Sequence, residues 1–124
     1  MKNILLIEDD KDVSETITSV LNNFIEHINL EQIADGSHFR NGKWREKEWD
    51  LMILDIMMPG ITGFEVCEQV RSFPGTKNVP ILALTGYDTL QNEKRIMAAG
   101  ASRYLAKPFE INEFLKDVKE LLRI

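Results

Sequence analysis

The chain has a single cysteine, Cys67, so no disulfide can form within it, and such sparing use fits a reducing compartment. Standing at helical spacing from Val70, that thiol is expected as a small core side chain. No apolar stretch approaches the roughly 20 residues of a membrane-spanning helix. There is no block of basic residues: 15 Lys and Arg face 20 Asp and Glu, for a net charge of −5. That balance has the wrong sign for gripping nucleic acid through its phosphates. Low-complexity tracts, linkers and internal repeats are also lacking. Met1-Lys2-Asn3 runs directly into a strand-like segment, which leaves no room for the apolar core of a signal peptide. These absences predict one cytoplasmic domain over residues 1–124, without nucleic-acid or membrane contact of its own. A hydrophobic fraction of 44% over 124 residues suffices for an ordinary core.

Apolar runs of four residues alternate with longer segments of helical period. Ile4–Ile7, Leu51–Leu54 and Ile81–Leu84 are continuously apolar, as strands buried on both faces of a parallel sheet should be. Val13, Ile17, Leu21 and Phe24 recur at helical spacing, as do Val66 or Cys67 with Val70, and Ile111, Leu115, Val118 and Leu122. Asp10 or Asp12 can cap the first helix, Thr62 the third, and Asp88 or Thr89 the fourth. Gly100 stands where the fourth helix should stop, and Pro80 opens a strand. The pattern predicts βα repeated five times, an α/β doubly wound fold of flavodoxin-like topology with parallel strand order 2-1-3-4-5. Two segments fit less well. Asn29–Ile33 makes a weak strand suited to an edge, and Asn41-Gly42 interrupts the polar second helix expected over Ser37–Trp49. A short, irregular or displaced helix is expected there, with Trp44 and Trp49 covering apolar surface.

The chemistry gathers at the ends of the apolar runs. Glu8-Asp9 follows Ile4–Ile7, Asp55 follows Leu51–Leu54, Thr85 follows Ile81–Leu84, and Lys107 follows Tyr104-Leu105-Ala106. In open parallel sheets these ends share one edge, where ligands bind near the switch point of strand order. Three carboxylates with no His or Cys beside them suit a hard divalent cation such as Mg²⁺. The bland reading of Glu8-Asp9-Asp10 alone is a solvated loop with a helix cap. For Asp55 it is weaker, because a carboxylate ends a wholly apolar strand before a Pro-Gly turn. Beside a cation Asp55 can attack phosphorus and form an acyl phosphate, with Lys107 as a point charge for the phosphoryl oxygens. Pro108 after Lys107 fixes the backbone and can take the cis form. Thr85 reads either as a turn residue or as a donor to the phosphoryl group.

Ile7-Glu8-Asp9-Asp10, Leu54-Asp55-Ile56-Met57-Met58-Pro59-Gly60 with Gly63, Leu84-Thr85-Gly86, and Ala99-Gly100-Ala101 through Tyr104-Leu105-Ala106-Lys107-Pro108-Phe109 together resemble the response-regulator receiver domain along essentially the whole chain. The resemblance implies a phosphoacceptor domain of a two-component system rather than an enzyme. Asp55 would be the phosphoacceptor, and Glu8, Asp9, Asp55 and the backbone carbonyl of Met57 would hold Mg²⁺. Thr85 and Lys107 would sense the phosphoryl group. Tyr104, otherwise an amphipathic strand residue, would turn inward on activation. A histidine kinase or histidine phosphotransfer protein would be the donor. A downstream protein or fused effector would read a surface made of the fourth helix, fifth strand and fifth helix.

Two departures stand out. Gly86 occupies a position where the family commonly has Ala, and the second-helix region is unusually polar. Met57 and Tyr87 stand where receivers flank the phosphoryl group, and neither is a carboxylate or amide suited to orient water, so slow self-dephosphorylation is expected. An aspartyl phosphatase would want an acid where Met57 stands, and a flavin carrier would not place Glu8-Asp9-Asp10 in its phosphate loop. An unphosphorylated adaptor usually lacks one of the acid, Thr or Lys positions, all of which are kept. His27 and His38 are expected as exposed loop residues. Lys116, Asp117, Lys119, Glu120 and Arg123 are expected to form a solvated face of the last helix, which permits a homodimer without requiring one.

Overall fold

The computed structural model describes residues 1–86 and 89–124, so Tyr87 and the alternative cap Asp88 lie outside the described residues. Five strands form one sheet: β1 (Lys2–Ile7), β2 (Ile28–Ile33), β3 (Leu51–Asp55), β4 (Ile81–Thr85) and β5 (Arg103–Ala106). All neighbours pair parallel, in the spatial order β2-β1-β3-β4-β5. Two two-residue strands, Met57–Met58 and Ile61–Thr62, make a separate antiparallel hairpin after β3 and are left unnumbered. The helices are α1 (Lys11–Phe24), α2 (Gly36–Arg40), α3 (Gly63–Ser72), α4 (Leu90–Ala99) and α5 (Ile111–Leu122).

The continuous apolar runs are explained by burial on two faces. Every residue of β3 and β4 is buried. Alternate side chains go to opposite layers. Leu5, Ile7, Met52, Leu54, Ile81 and Ala83 pack with Val66, Cys67 and Val70 of α3 and Ile96 of α4. Ile4, Leu6, Leu51, Ile53, Leu82 and Leu84 pack with Ile17 and Leu21 of α1 and Phe114 and Val118 of α5. Burial pushes the Cys67 thiol up to about 12, so it serves packing and is inert as a nucleophile at neutral pH. β2 has one neighbour and no fully buried residue, as an edge strand should.

Three helix starts carry the expected caps. The Asp10 carboxylate accepts from the amides of Asp12 and Val13 at 2.9 and 3.1 Å. The Thr62 hydroxyl accepts from Glu65 N at 3.2 Å, and that of Thr89 from Asn92 N at 3.1 Å. Gly100 closes α4.

The irregular second-helix region takes a definite form. α2 lasts five residues, and Gly42 then adopts φ 76°, a left-handed conformation open to Gly at little cost. A 3₁₀ turn, Lys43–Glu46, follows and lays Trp44 on Phe39 with ring centres 5.1 Å apart. The Trp44 indole donates to the Phe39 carbonyl at 3.0 Å, and that of Trp49 to the Trp44 carbonyl at 2.8 Å.

Four expectations need correction. Phe24 is 59% exposed at the last position of α1, and Val20 takes its place in the buried stripe. Ile111 is exposed in the first turn of α5, while the unanticipated Phe114 is fully buried and stacks on Phe109 at 4.9 Å. Both His residues are exposed, but His38 belongs to α2, where its Nδ1 lies 2.9 Å from Asp35 Oδ2. On α5, Asp117 and Glu120 are engaged by Arg103 of β5 at 2.9 and 3.2 Å, leaving Lys116, Lys119 and Arg123 as the exposed cations.

Phe114→Ala should lower unfolding free energy by about 3–5 kcal/mol in a denaturant titration, and Ile111→Ala by less than about 1 kcal/mol. Equal losses from the two would contradict this division between packed and exposed apolar residues.

Candidate functional site

Ile7 of β1 pairs with Leu54 of β3, so the residues that follow them emerge side by side at one edge of the sheet. Parallel alignment is what brings the distant Asp55 beside the adjacent acids Glu8 and Asp9. One carboxylate oxygen each from Glu8, Asp9 and Asp55 lie within 4.8 Å of one another. Glu8 and Asp55 are buried and Asp9 is exposed. Lys107, past the end of β5, brings its Nζ to 3.0 Å from Glu8 Oε1 and 3.4 Å from Asp55 Oδ2. The Lys107-Pro108 peptide is cis. The Lys107 amide donates to the Thr85 carbonyl at 2.7 Å, tying the ends of β4 and β5 together. Thr85 itself is fully buried, and Tyr104 is half-buried on β5 against the core beneath α3 and α4.

Electrostatics make Glu8 the unusual group. Burial raises its carboxyl from 4.5 to about 7, the Asp55 hydrogen bond and charge push the same way, and Lys107 opposes them. For Lys107, burial pulls the ammonium down, but the hydrogen bond to Glu8 and the charges of Asp55 and Glu8 outweigh it and leave it raised. Glu8 Oε2 is buried and, among the described residues, has no hydrogen-bond partner. A buried orphan oxygen is costly unless something is coordinated to it. With two further carboxylates beside it and neither His nor Cys in the cluster, the donor set fits a hard divalent cation.

The loop after Asp55 is shaped by a close approach. A Cβ on Gly63 would lie 2.6 Å from Ile56 Cα, so only glycine lets its amide reach the Ile56 carbonyl, at 2.6 Å. Met57 donates its amide to Asp55 Oδ1 at 3.3 Å while its side chain stays half exposed. Gly86 is exposed directly after Thr85. Tyr87, expected beside the phosphoryl position, is outside the described residues.

All four charged residues expected at the site therefore meet. Two neighbours were not expected. Gln32 Nε2 donates to the Glu8 carbonyl at 3.0 Å, and Arg40 Nη2 to the Gly60 carbonyl at 2.9 Å. These contacts span 24 and 20 residues and leave no local pattern in the sequence.

Residues 4–119 match the family model of the response regulator receiver domain. The chain is 33% identical over 123 residues to the DNA-binding dual master transcriptional regulator RpaA of Synechocystis sp. (strain ATCC 27184 / PCC 6803 / Kazusa), covering 99% of this chain and 50% of that protein. It spans about half the length of the first curated relatives it matches. The signal receiver domain of the DNA binding response regulator protein (merR) from Colwellia psychrerythraea 34H superposes with a TM-score of 0.91 at 31% identity, covering 100% of both chains. The receiver domain of sensor histidine kinase PA1611 from Pseudomonas aeruginosa PAO1, solved with a magnesium ion coordinated in its active site cleft, gives 0.86 at 25% identity, covering 99% of this chain and 98% of that one. A family match running from Ile4 to Lys119, together with superposition over the full sheet, places this chain among the receiver domains of two-component response regulators, which are phosphoacceptor switches.

Proposed function

We propose that Asp55 is the phosphoacceptor of this chain, and that Glu8, Asp9, Asp55 and the backbone carbonyl of Met57 hold Mg²⁺ beside it. The observation that carries this reading is the convergence of three carboxylates within 4.8 Å, with the Lys107 ammonium bridging two of them. Bound Mg²⁺ would neutralise the oxygens of the transferring phosphoryl group. An Asp55 carboxylate oxygen forms the new O–P bond as the P–N bond of a donor phosphohistidine breaks. The electron pair of that bond stays on the imidazole nitrogen, which takes up a proton, and Asp55 becomes an acyl phosphate. Lys107, already 3.4 Å from Asp55 Oδ2, is in reach of the added oxygens.

The donor is a histidine kinase or histidine phosphotransfer protein. The added charge, about −1.5 to −2, draws Lys107 and the Thr85 hydroxyl toward Asp55. Tyr104 follows by turning inward, which changes the surface formed by α4, β5 and α5. The output is a downstream protein or a fused effector; that this chain covers only half of a DNA-binding regulator it resembles supports the second. Exposed Leu90 and Met97 on α4 and Ile111 on α5 give that surface apolar area for a partner or a second copy. The net charge of −5 argues against nucleic-acid binding by this segment. Among the described residues no helix is long and apolar enough to cross a membrane, in keeping with a cytoplasmic setting.

Incubation with acetyl phosphate and Mg²⁺ should add one phosphoryl group by intact mass. The adduct should disappear in Asp55→Ala and when Mg²⁺ is chelated. An adduct surviving in Asp55→Ala would move the phosphoacceptor elsewhere.

Dephosphorylation is slow because the exposed Met57 thioether cannot orient a water for attack on phosphorus. Met57→Asn should hasten loss of the phosphoryl group by about tenfold or more. A decay time equal to the wild type's would remove Met57 from the account.

The raised Glu8 carboxyl gives a signed pH dependence. Its neutral form is favoured in the fold, so its contribution to stability is present below 4.5 and is lost as pH rises through about 7. Metal-free protein should accordingly unfold more easily at about pH 8 than at about pH 6. Mg²⁺, which requires the carboxylate, should stabilise most at the higher pH. Denaturant midpoints measured with and without Mg²⁺ test this, and a metal-free midpoint that rises across the window contradicts it.

A further inference from the structure

We infer that β2 and α2 brace the acid site, with Gln32 and Arg40 as positioning residues for the two loops that carry its metal-binding oxygens. The inference rests on the phosphoacceptor reading above and concerns how its ligands are held.

The first loop is Glu8–Asp10. Glu8 N donates to the Ile33 carbonyl at 3.0 Å, and the Glu8 carbonyl accepts from Gln32 Nε2 at 3.0 Å. Consecutive residues of β2 thus hold both sides of Glu8. The Glu8 carbonyl belongs to the same planar peptide as the Asp9 amide, so Gln32 fixes the direction in which the chain leaves β1 and aims Asp9. Asp10 is then committed as the cap of α1, which leaves the acid pair little freedom.

The second loop is the hairpin that carries Met57. Its turn residue Gly60 gives its carbonyl to Arg40 Nη2 at 2.9 Å, and the same guanidinium nitrogen reaches Glu65 Oε2 at 3.3 Å. α2 also begins directly against this hairpin. A Cβ on Gly36 would lie 3.1 Å from the Gly60 carbonyl and 3.2 Å from Ile61 Cβ. The short α2, ended by Asn41-Gly42, therefore puts a cation in its last turn within reach of the site loop. The least regular part of the fold is attached to the part whose geometry matters most.

Gln32 and Arg40 are exposed, so truncating them leaves the core intact. Net charge separates bracing from electrostatics. Arg40→Met removes a cation, which by charge alone would tighten Mg²⁺ binding, whereas a lost brace weakens it. Mg²⁺ titrations of metal-free wild type, Gln32→Met, Arg40→Met, the double variant and Arg40→Lys decide the matter, with amide exchange and denaturant midpoints measured on the same metal-free samples. Each single variant should weaken Mg²⁺ affinity about three- to tenfold, the loss of one hydrogen bond to a carbonyl. Amide exchange should quicken in residues 9–12 for Gln32→Met and in residues 58–63 for Arg40→Met, with little change in the unfolding midpoint. Arg40→Lys, which keeps charge and a donor, should recover part of the affinity. Variants that bind as wild type does, or tighter, overturn the brace while leaving Asp55 as phosphoacceptor. A wild type that neither binds Mg²⁺ nor accepts a phosphoryl group overturns the phosphoacceptor reading, and the exchange rates then still report whether the loops are held.

Discussion

Crowding of like charge at the carboxyl edge of the sheet is the constraint around which this molecule is arranged. Two of the three acids, Glu8 and Asp55, are buried, and burial by itself disfavours ionised carboxylates. Lys107 reduces the cost by standing 3.0 and 3.4 Å from them, but Glu8 Oε2 is left over. One ammonium cannot neutralise three carboxylates, and burial, reinforced by Asp55, makes Glu8 hold a proton more firmly than a solvated acid. A divalent cation would supply the missing charge. Phosphorylation would then exchange one kind of charge imbalance for another, which is how such a site can drive a change elsewhere.

The fold tolerates this strain because the rest of the sheet is so uniformly apolar. β3 and β4 are buried along their whole length, and the acids occur only where strands give way to loops. Placing charge at the ends and hydrocarbon in the middle concentrates the penalty at one rim. The opposing layers, α3 and α4 on one face and α1 and α5 on the other, provide burial sufficient to outweigh it.

What could be read from the sequence follows from this division. β1, β3 and β4 are legible because burial on both faces leaves no polar residue within the run, and the caps Asp10 and Thr62 are legible because capping is local. Glu8, Asp9, Asp55 and Lys107 could be brought together because parallel order alone fixes which strand ends share an edge. Local pattern is insufficient where a neighbour decides. Helical spacing gives the angle of Phe24 and Ile111 around their axes, but not whether the packed layer extends that far along them. Arg103 claims Asp117 and Glu120 from another element, and Gln32 and Arg40 reach carbonyls more than a dozen residues away. Such contacts depend on tertiary distances that no local pattern encodes.

The same long-range bonding fixes the far end of α4. The last turn of α4 carries no basic residue of its own. Arg71 of α3 supplies the cation instead, donating to the Gly100 carbonyl from Nε at 3.0 Å and Nη2 at 2.8 Å. Its Nη1 reaches the Val79 carbonyl at 2.6 Å, so one guanidinium holds the end of α4, the approach to β4 and the end of α3 together. The start of α4 is held differently, by the local Thr89 cap, and lies just beyond Thr85 and Gly86. On the phosphoacceptor reading, a pull on Thr85 is therefore applied on the side of α4 that follows β4, while the far end of the helix is clamped to α3.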